Sequence, residues 1–446
     1  MRTIRIGGGA GFSEDDLEPA LDLMKYGDID YICFECLAER TIAIAQQQKL
    51  ANPRKGYNAG LEFRMEHVLP LAREKGIKVI TNMGAANVER AMEVTMEIAA
   101  RLGLTGLKVA GVMGDDVFDK LDRYKDIPIF ETGERFGGFK KPLVSANAYL
   151  GFEGIAEALD NGADVVITGR CADAALFLGP LVHEFGWNTY EMYGKGTLVG
   201  HLMECSSYLT GGYFCIPGKS DVEDFWNIGF PIAEVSEDGT FFVTKLDRAG
   251  GRVDVQTCTE QLLYEIHDPA SYLTPNCVAD FSGVRFEEVA KNRVKVTGAT
   301  GRPATGKYKV SVGYKDSYVG ISELGLCGLR WKERCDLYFE AAEKRWQAYG
   351  EKPEEHQFSI IGYNSICRDA EHMNFDLTQI PEVRARIAVR ADSMQRVKRQ
   401  IELANPPLSC PAGASILTAN FKEVLAILSL LIPCTDVNIR VFYREV

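Results

Sequence analysis

The chain has no long apolar run. The longest useful one, residues 424–432, is nine residues, far short of the ~20 a membrane helix needs. Basic residues are not in excess. Fifty Lys and Arg face 62 Asp and Glu, a net charge of −12. That balance makes a poor nucleic-acid binder and is repelled by anionic membrane surfaces. There is no disulfide framework: the 12 cysteines are scattered, and only Cys33 and Cys36 form a C-x-x-C. There is no apolar signal core near the start, where residues 1–5 read as a charged strand before a run of glycines. These absences lead us to expect a reduced, cytoplasmic protein with free thiols. No internal repeat, low-complexity tract or long charge run stands out, and histidine is scarce at six.

What is present is ordinary for a globular protein. Hydrophobic residues are 46% and charged residues 25% of 446, which rules out disorder, collagen and coiled coil. The length suggests two large or about three smaller domains. It also lets the chain bury roughly 75% of its unfolded surface without a staple. Val- and Ile-rich strands at 3–6, 31–34, 78–81, 108–112 and 164–169 alternate with helical stretches at 15–26, 38–50, 64–75, 88–102 and 154–161. Such strands, apolar on both faces, predict a parallel sheet covered on both sides. The second half reads as hairpins, with strands at 232–235, 240–244, 252–255, 284–289, 293–297 and 308–314. Helices follow at 330–349 and 382–404, flanking strands at 357–361 and 437–443. The expected fold is therefore α/β. An N-terminal parallel-sheet domain over 1–200 precedes a β-rich, mixed α+β domain over 201–446.

In a parallel sheet, ligands bind beyond the carboxyl ends of the strands. That rule nominates 7–11, 35–40, 82–87, 114–116 and 169–173 as one rim. The first segment reads as a tight strand-to-helix turn or an anion nest, with Gly8, Gly9 and Gly11 offering amides. As a dinucleotide fingerprint it is incomplete, because Phe12 stands at the third glycine position, though Glu35 could serve a ribose. Asn82 could donate to a substrate carboxylate, while Asn87 suits the cap of the helix from 88. Asp115 and Asp116 could act as a base, bind a divalent ion or cap a helix. Ser145, Asn147 and Tyr149 are polar groups in an apolar approach to a helix. Arg170 could clamp a carboxylate with two N–H groups or simply bridge to Asp173. His201 and Glu204 share a face if helical, as an acid–base pair or two metal ligands. The second His of a zinc motif is missing. His267-Asp268-Pro269 offers an oriented imidazole or a turn. Cys33 and Cys36 read better as packed thiols than as a redox pair.

Together these segments resemble the acyclic terpene utilisation (AtuA) family. The resemblance rests on RIGGGAGF (5–12), Asp30-Tyr31 with LAE (37–39), GDD (114–116), SANAYLG (145–151), GADVVITGR (162–170), Asp173 and LGP (178–180). It continues through His201, Glu204-Cys205, TGGYF (210–214), Asp268-Pro269, YLTP (272–275), ADF (279–281) and Gly298-Ala299. It spans nearly the whole chain and looks like the short form, without an extra C-terminal domain. The segment NPPLSCPAG (405–413) departs from glycine-rich versions of that loop. The resemblance implies catabolism of branched isoprenoid acids as coenzyme A thioesters, or of small carboxylates. It also implies a separate companion protein of about 100 residues.

The favoured expectation is a lyase of hydratase or dehydratase type acting on a small unsaturated or hydroxy carboxylic acid or its thioester. Asp115, Asp173, His201 and Glu204 would move protons. Gly8, Gly9, Gly11, Asn82, Ser145, Asn147 and Arg170 would bind the anionic substrate. The alternatives are a nucleotide-dependent enzyme and a non-catalytic or co-catalytic subunit of a heteromeric complex. A bound divalent metal is a side expectation. Expected partners are a small anionic metabolite, the companion protein and other copies of the chain, in a homo- or hetero-oligomer. Replacing Arg170 or His201 with Ala is expected to abolish turnover and leave the melting temperature nearly unchanged.

Overall fold

The computed structural model describes residues 2–373, 376–405 and 411–446. The loop residues 406–410, singled out above within 405–413, lie outside the described residues. Contacts divide the chain into two compact units. One comprises 1–140, 144–313 and 427–446; the other comprises 141–143 and 314–426.

The first unit is built on a ten-stranded sheet. Its centre is β1 (Thr3–Ala10), β2 (Tyr31–Phe34), β3 (Lys78–Thr81), β4 (Lys108–Met113) and β6 (Val165–Thr168), all parallel, in the order β1-β2-β3-β6-β4. β5 (Leu143–Ala148) lies off this path. Antiparallel strands extend both sides. β7 (Pro231–Ser236), β8 (Phe241–Lys245), Arg293–Thr297 and Arg285–Ala290 continue outward from β1, and Arg440–Glu445 pairs with β4.

Side-chain alternation explains the two coverings. Ile32, Phe34, Val79, Val109, Val165 and Ile167 share one core with helices α1 (Glu18–Tyr26), α3 (Leu61–Lys75) and α4 (Val88–Arg101). Residues of the opposite parity, Cys33, Ile80, Ala110 and Val166, are equally buried. On that side Cys33 Sγ donates to Leu176 O at 3.3 Å, in α6 (Ala175–Phe185). Between these lie α2 (Glu39–Ala51) and α5 (Glu153–Asp160), and α7 (Tyr190–Met203) follows α6. The chain leaves β3 through α4, crosses over β6 to β4, and returns to β6. Its direction across the sheet therefore reverses at β4, and β6 fills the gap left between β3 and β4.

Several local expectations are corrected. The glycines at 7–9 are not a turn: β1 runs through them to Ala10, and α1 starts only at Glu18. They are small because neighbours pack flat on β1. A Cβ on Gly9 would lie 2.8 Å from the Phe34 ring, and one on Gly11 would lie 2.8 Å from the Cys205 carbonyl carbon. No cluster of free amides at a helix start is presented, so the anion-nest and dinucleotide readings of this segment lose their geometry. Gly11→Ala is expected to destabilise by about 1–3 kcal/mol, since the Cys205 backbone must shift. A lower urea midpoint at unchanged slope would register this; an unchanged midpoint would contradict it. Ser145 and Asn147 lie on a strand, β5, not on a helix approach. Residues 252–255 form no strand, because Asp254 caps α8 (Val255–Leu263), accepting from Gln256 N at 2.8 Å and Thr257 N at 3.0 Å.

The second unit packs α9 (Trp331–Ala348) and α10 (Met394–Ala404) on antiparallel strands that include Glu355–Ile361 and Glu382–Ala391. Its core centres on Trp346, which is 0% exposed. The helix expected over 382–404 is two elements. Val383, Ala385, Ile387 and Val389 are buried and alternate with arginines. A period of two is a strand pattern whatever the helix propensity of Ala and Arg. The apolar run 424–432 lies in the strand Ala414–Pro433. Among the described residues no helix is long and apolar enough to cross a membrane.

Candidate functional site

Four rim residues sit just past the parallel strands: Glu35 after β2, Asn82 after β3, Asp115 after β4 and Arg170 after β6. All four are buried. Arg170, 1% exposed, is the centre. Its backbone N–H donates to Asp115 Oδ2 at 3.0 Å, and Asn147 Nδ2 donates to the same oxygen at 2.8 Å. Its Nη2 donates to Asp173. Its Nε and Nη1 have no protein partner. A guanidinium carries five N–H donors, and buried donors are almost always bonded. Two nitrogens, with three N–H groups between them, are thus buried without an acceptor from the described residues.

Around this face the chain gathers carboxyls in different states. Asn82 Nδ2 and Leu37 N donate to Glu35 Oε1 at 2.8 and 3.0 Å. Burial, reinforced by Asp173, still lifts the Glu35 carboxyl to about 8. Burial likewise raises Asp115 to about 6, against the bonds from Arg170 N and Asn147. Glu39 is the opposite case. Burial works against its charge, but Arg170, the Tyr149 hydroxyl and Lys309 hold it down at about 2. Tyr149 donates its hydroxyl to Glu39. Arg170 and Lys309 lie over the Tyr149 ring, at 4.2 and 4.8 Å from its centroid, a cation–π arrangement that orients the guanidinium.

The second acid–base group closes α7. His201 sits in its last turn and Glu204 at its C-cap, so a spacing of three puts both on one face. His201 Nε2 donates to Leu262 O at 3.2 Å, which leaves Nδ1 to face Glu204 Oε1 at 3.4 Å. Neither Nδ1 nor Glu204 Oε2 has a hydrogen-bond partner. Burial opposes charge on His201, but Glu204 pushes its pKa up. Burial raises Glu204 to about 7 although His201 pulls it down. Asp173 also acts on Glu204, which ties this pair to the Arg170 cluster. The imidazole stacks near Phe281 at 5.8 Å and Tyr272 at 5.6 Å.

The structure thus links Asp115, Asn147, Arg170 and Asp173 directly, and His201 with Glu204. Asn82 joins through Glu35. Ser145 is buried with its Oγ unpartnered, close to Gly313 rather than in these bonds. Gly8 and Gly9 belong to the packing of β1 described above, and Gly11 lies in the bend after it, against the Cys205 backbone. Asn87 stands at the α4 N-cap position but does not cap; its Nδ2 holds the carbonyls of Pro53 and Lys55 at 2.9 and 2.8 Å. Asp116 is exposed and accepts from Phe118 N at 3.0 Å. His267 is exposed, and Asp268 accepts from Ala270 N in a turn. Cys33, Cys36 and Cys171 are buried free thiols, all pushed up by burial. Among the described residues no three His, Cys, Asp or Glu side chains are grouped to hold a metal ion. Sequence reasoning weighed Glu35 only for a ribose and gave no role to Glu39, Lys309 or Tyr272. Glu35 and Glu39 had a usable signal, being four apart across a strand end and a helix start. Lys309 had none, because it arrives from a strand far along the chain.

The family model described as acyclic terpene utilisation family protein AtuA matches residues 4–443, and the chain belongs to that family. The family is named for a catabolic role in terpene utilisation. No curated protein and no solved structure matches the chain.

Proposed function

We propose that this AtuA-family protein is a hydro-lyase that adds water to, or removes it from, a small unsaturated or hydroxy carboxylic acid or its thioester. One observation carries the reading: buried Arg170 keeps two nitrogens, Nε and Nη1, without a partner, amid carboxyls shifted in opposite directions. In the dehydration direction, Arg170 binds the acyl oxygen and stabilises charge that develops there when the α-proton leaves. The Glu204–His201 pair takes that proton. Glu35, neutral at pH 7, gives a proton to the β-hydroxyl, which departs as water as the double bond forms. Asp173 fixes the guanidinium, and Asp115 positions the Arg170 backbone; both are positioning residues. Hydration is the reverse, and only water is consumed or released.

The test does not require the physiological substrate. In D2O, branched 3-hydroxy acids and their thioesters are expected to acquire deuterium at Cα and to lose water, both followed by NMR. Glu204→Gln should slow exchange by about 10²-fold or more, the usual weight of one positioned acid–base group. Exchange that survives this substitution, or no exchange with any member of the panel, would remove the proposal.

A further inference from the structure

A second charged feature lies on the other arm of the ten-stranded sheet, and the proposed chemistry uses none of it. Register brings its residues together. Arg5 of β1 sits opposite Glu234 of β7, while Ile232 of β7 sits opposite Thr244 of β8, which in turn faces Arg293. With a period of two, Glu234 and Ile232 share a face. They line a cavity of about 520 Å3 with Lys245, Arg248 and Lys291. Five basic side chains (Arg5, Lys245, Arg248, Lys291 and Arg293) line it with two acids, Glu234 and Asp247, while Glu223 and Asp22 act on Lys245 and Arg248 from beside it. In a chain of net charge −12 this is a local reversal of sign.

The bonding shows which of these cations are committed. Glu234 pairs with both Arg5 and Arg293 and is held ionised by them. Arg5 spends its remaining donors on Gly27 O. Lys245 differs. It is only 6% exposed, donates to Leu246 O at 3.1 Å and Ala249 O at 2.6 Å, and pairs with no carboxylate among the described residues. Burial disfavours this ammonium and lowers its pKa, while Asp247 and Glu223 favour its charge without forming an ion pair with it. Arg248 is exposed and stacks its guanidinium 4.1 Å over the Tyr26 ring, which is itself 55% exposed. Lys291 pairs with Glu223, both exposed.

We propose that this cavity is a second binding site, for a compound bearing a di- or polyphosphate group. The Lys245 ammonium supplies the buried charge, Arg248 and Lys291 close on the outer oxygens, and Arg293, paired with Glu234, adds positive charge at the edge. The open face of Tyr26 adjoins Arg248 and suits a flat ring attached to the phosphates. The site shares no residue with the Arg170 cluster.

The full chain should be titrated calorimetrically with inorganic pyrophosphate and with ADP, at low and at raised salt. Saturable binding of pyrophosphate is expected, weakening with salt. Equal affinities would mean the phosphates alone are read; tighter ADP would mean the ring is read too. Either supports the site. Lys245→Gln, and independently the exposed double variant Arg248→Gln/Lys291→Gln, are each expected to bind at least about tenfold more weakly. Glu204→Gln should bind as the natural chain does. No binding at millimolar probe, full affinity in the double variant, or loss in Glu204→Gln would overturn the assignment.

Discussion

Arg170→Met is expected to reduce kcat/KM by about 10³-fold or more and to destabilise the fold by about 3–5 kcal/mol. The activity loss follows from the proposed role: a buried two-pronged donor to a charged oxygen contributes several kcal/mol when only the transition state uses it fully. The stability loss follows from its neighbours. Asp173 loses its hydrogen-bonded partner, and Glu39 loses the first of the groups that hold it ionised. The burial of Arg170 thus replaces the expectation of a nearly unchanged melting temperature. It is 1% exposed, under the Tyr149 ring and among carboxyls. Arg170→Lys separates the two effects. Lysine keeps the charge and most of the stability but cannot present the planar fork. Denaturant titration of both variants, beside single-turnover assays, checks the pair. A stable but inactive Lys variant is the expected outcome; equal stability of Met and natural chains would contradict the charge argument.

Glu35→Gln is expected to flatten the dependence of stability on pH. The carboxyl rises from its ordinary 4.5 to about 8 in the folded chain, by burial first and Asp173 next. The folded state therefore holds this proton more tightly than the unfolded one. Its contribution is fully present below about pH 4.5 and is lost as pH rises to about 8. At about 1.4 kcal/mol per pKa unit, several kcal/mol are at stake. Glutamine keeps an oxygen for Asn82 Nδ2 and Leu37 N and has no charge to bury. The difference between variant and natural chain should thus be small at pH 5 and favour the variant increasingly towards pH 9, read by urea unfolding across that range. The same substitution removes the proposed proton donor, so activity should fall at every pH. A constant stability difference would show that Glu35 is not held protonated.

The parallel core was legible because its strands carry the sequence pattern that physics requires, apolar on both faces and separated by helices. The strand-end rule then located Glu35, Asn82, Asp115 and Arg170 without any motif. What misled was composition read without period or distance. Four glycines beside a strand suggested a turn, yet Gly7, Gly8 and Gly9 lie within β1, where Phe34 packs on Gly9, and Gly11 lies in the bend that follows. Alanine and arginine over 382–391 suggested a helix, yet the apolar positions recur every second residue. His201 and Glu204 were legible as a pair because helical spacing is local. The states of the carboxyls were not, since they depend on burial and on Lys309 and Tyr149, which sequence separation conceals.

The placement of the thiols has a practical consequence. Cys33, Cys36 and Cys171 lie behind the rim with their thiols pushed up, so little thiolate is available to an alkylating reagent. Among the described residues only Cys327 and Cys367 are exposed, and both belong to the unit over 314–426. Brief alkylation is therefore expected to label Cys327 and Cys367 first, ahead of the half-buried Cys205, Cys215 and Cys434 of the other unit.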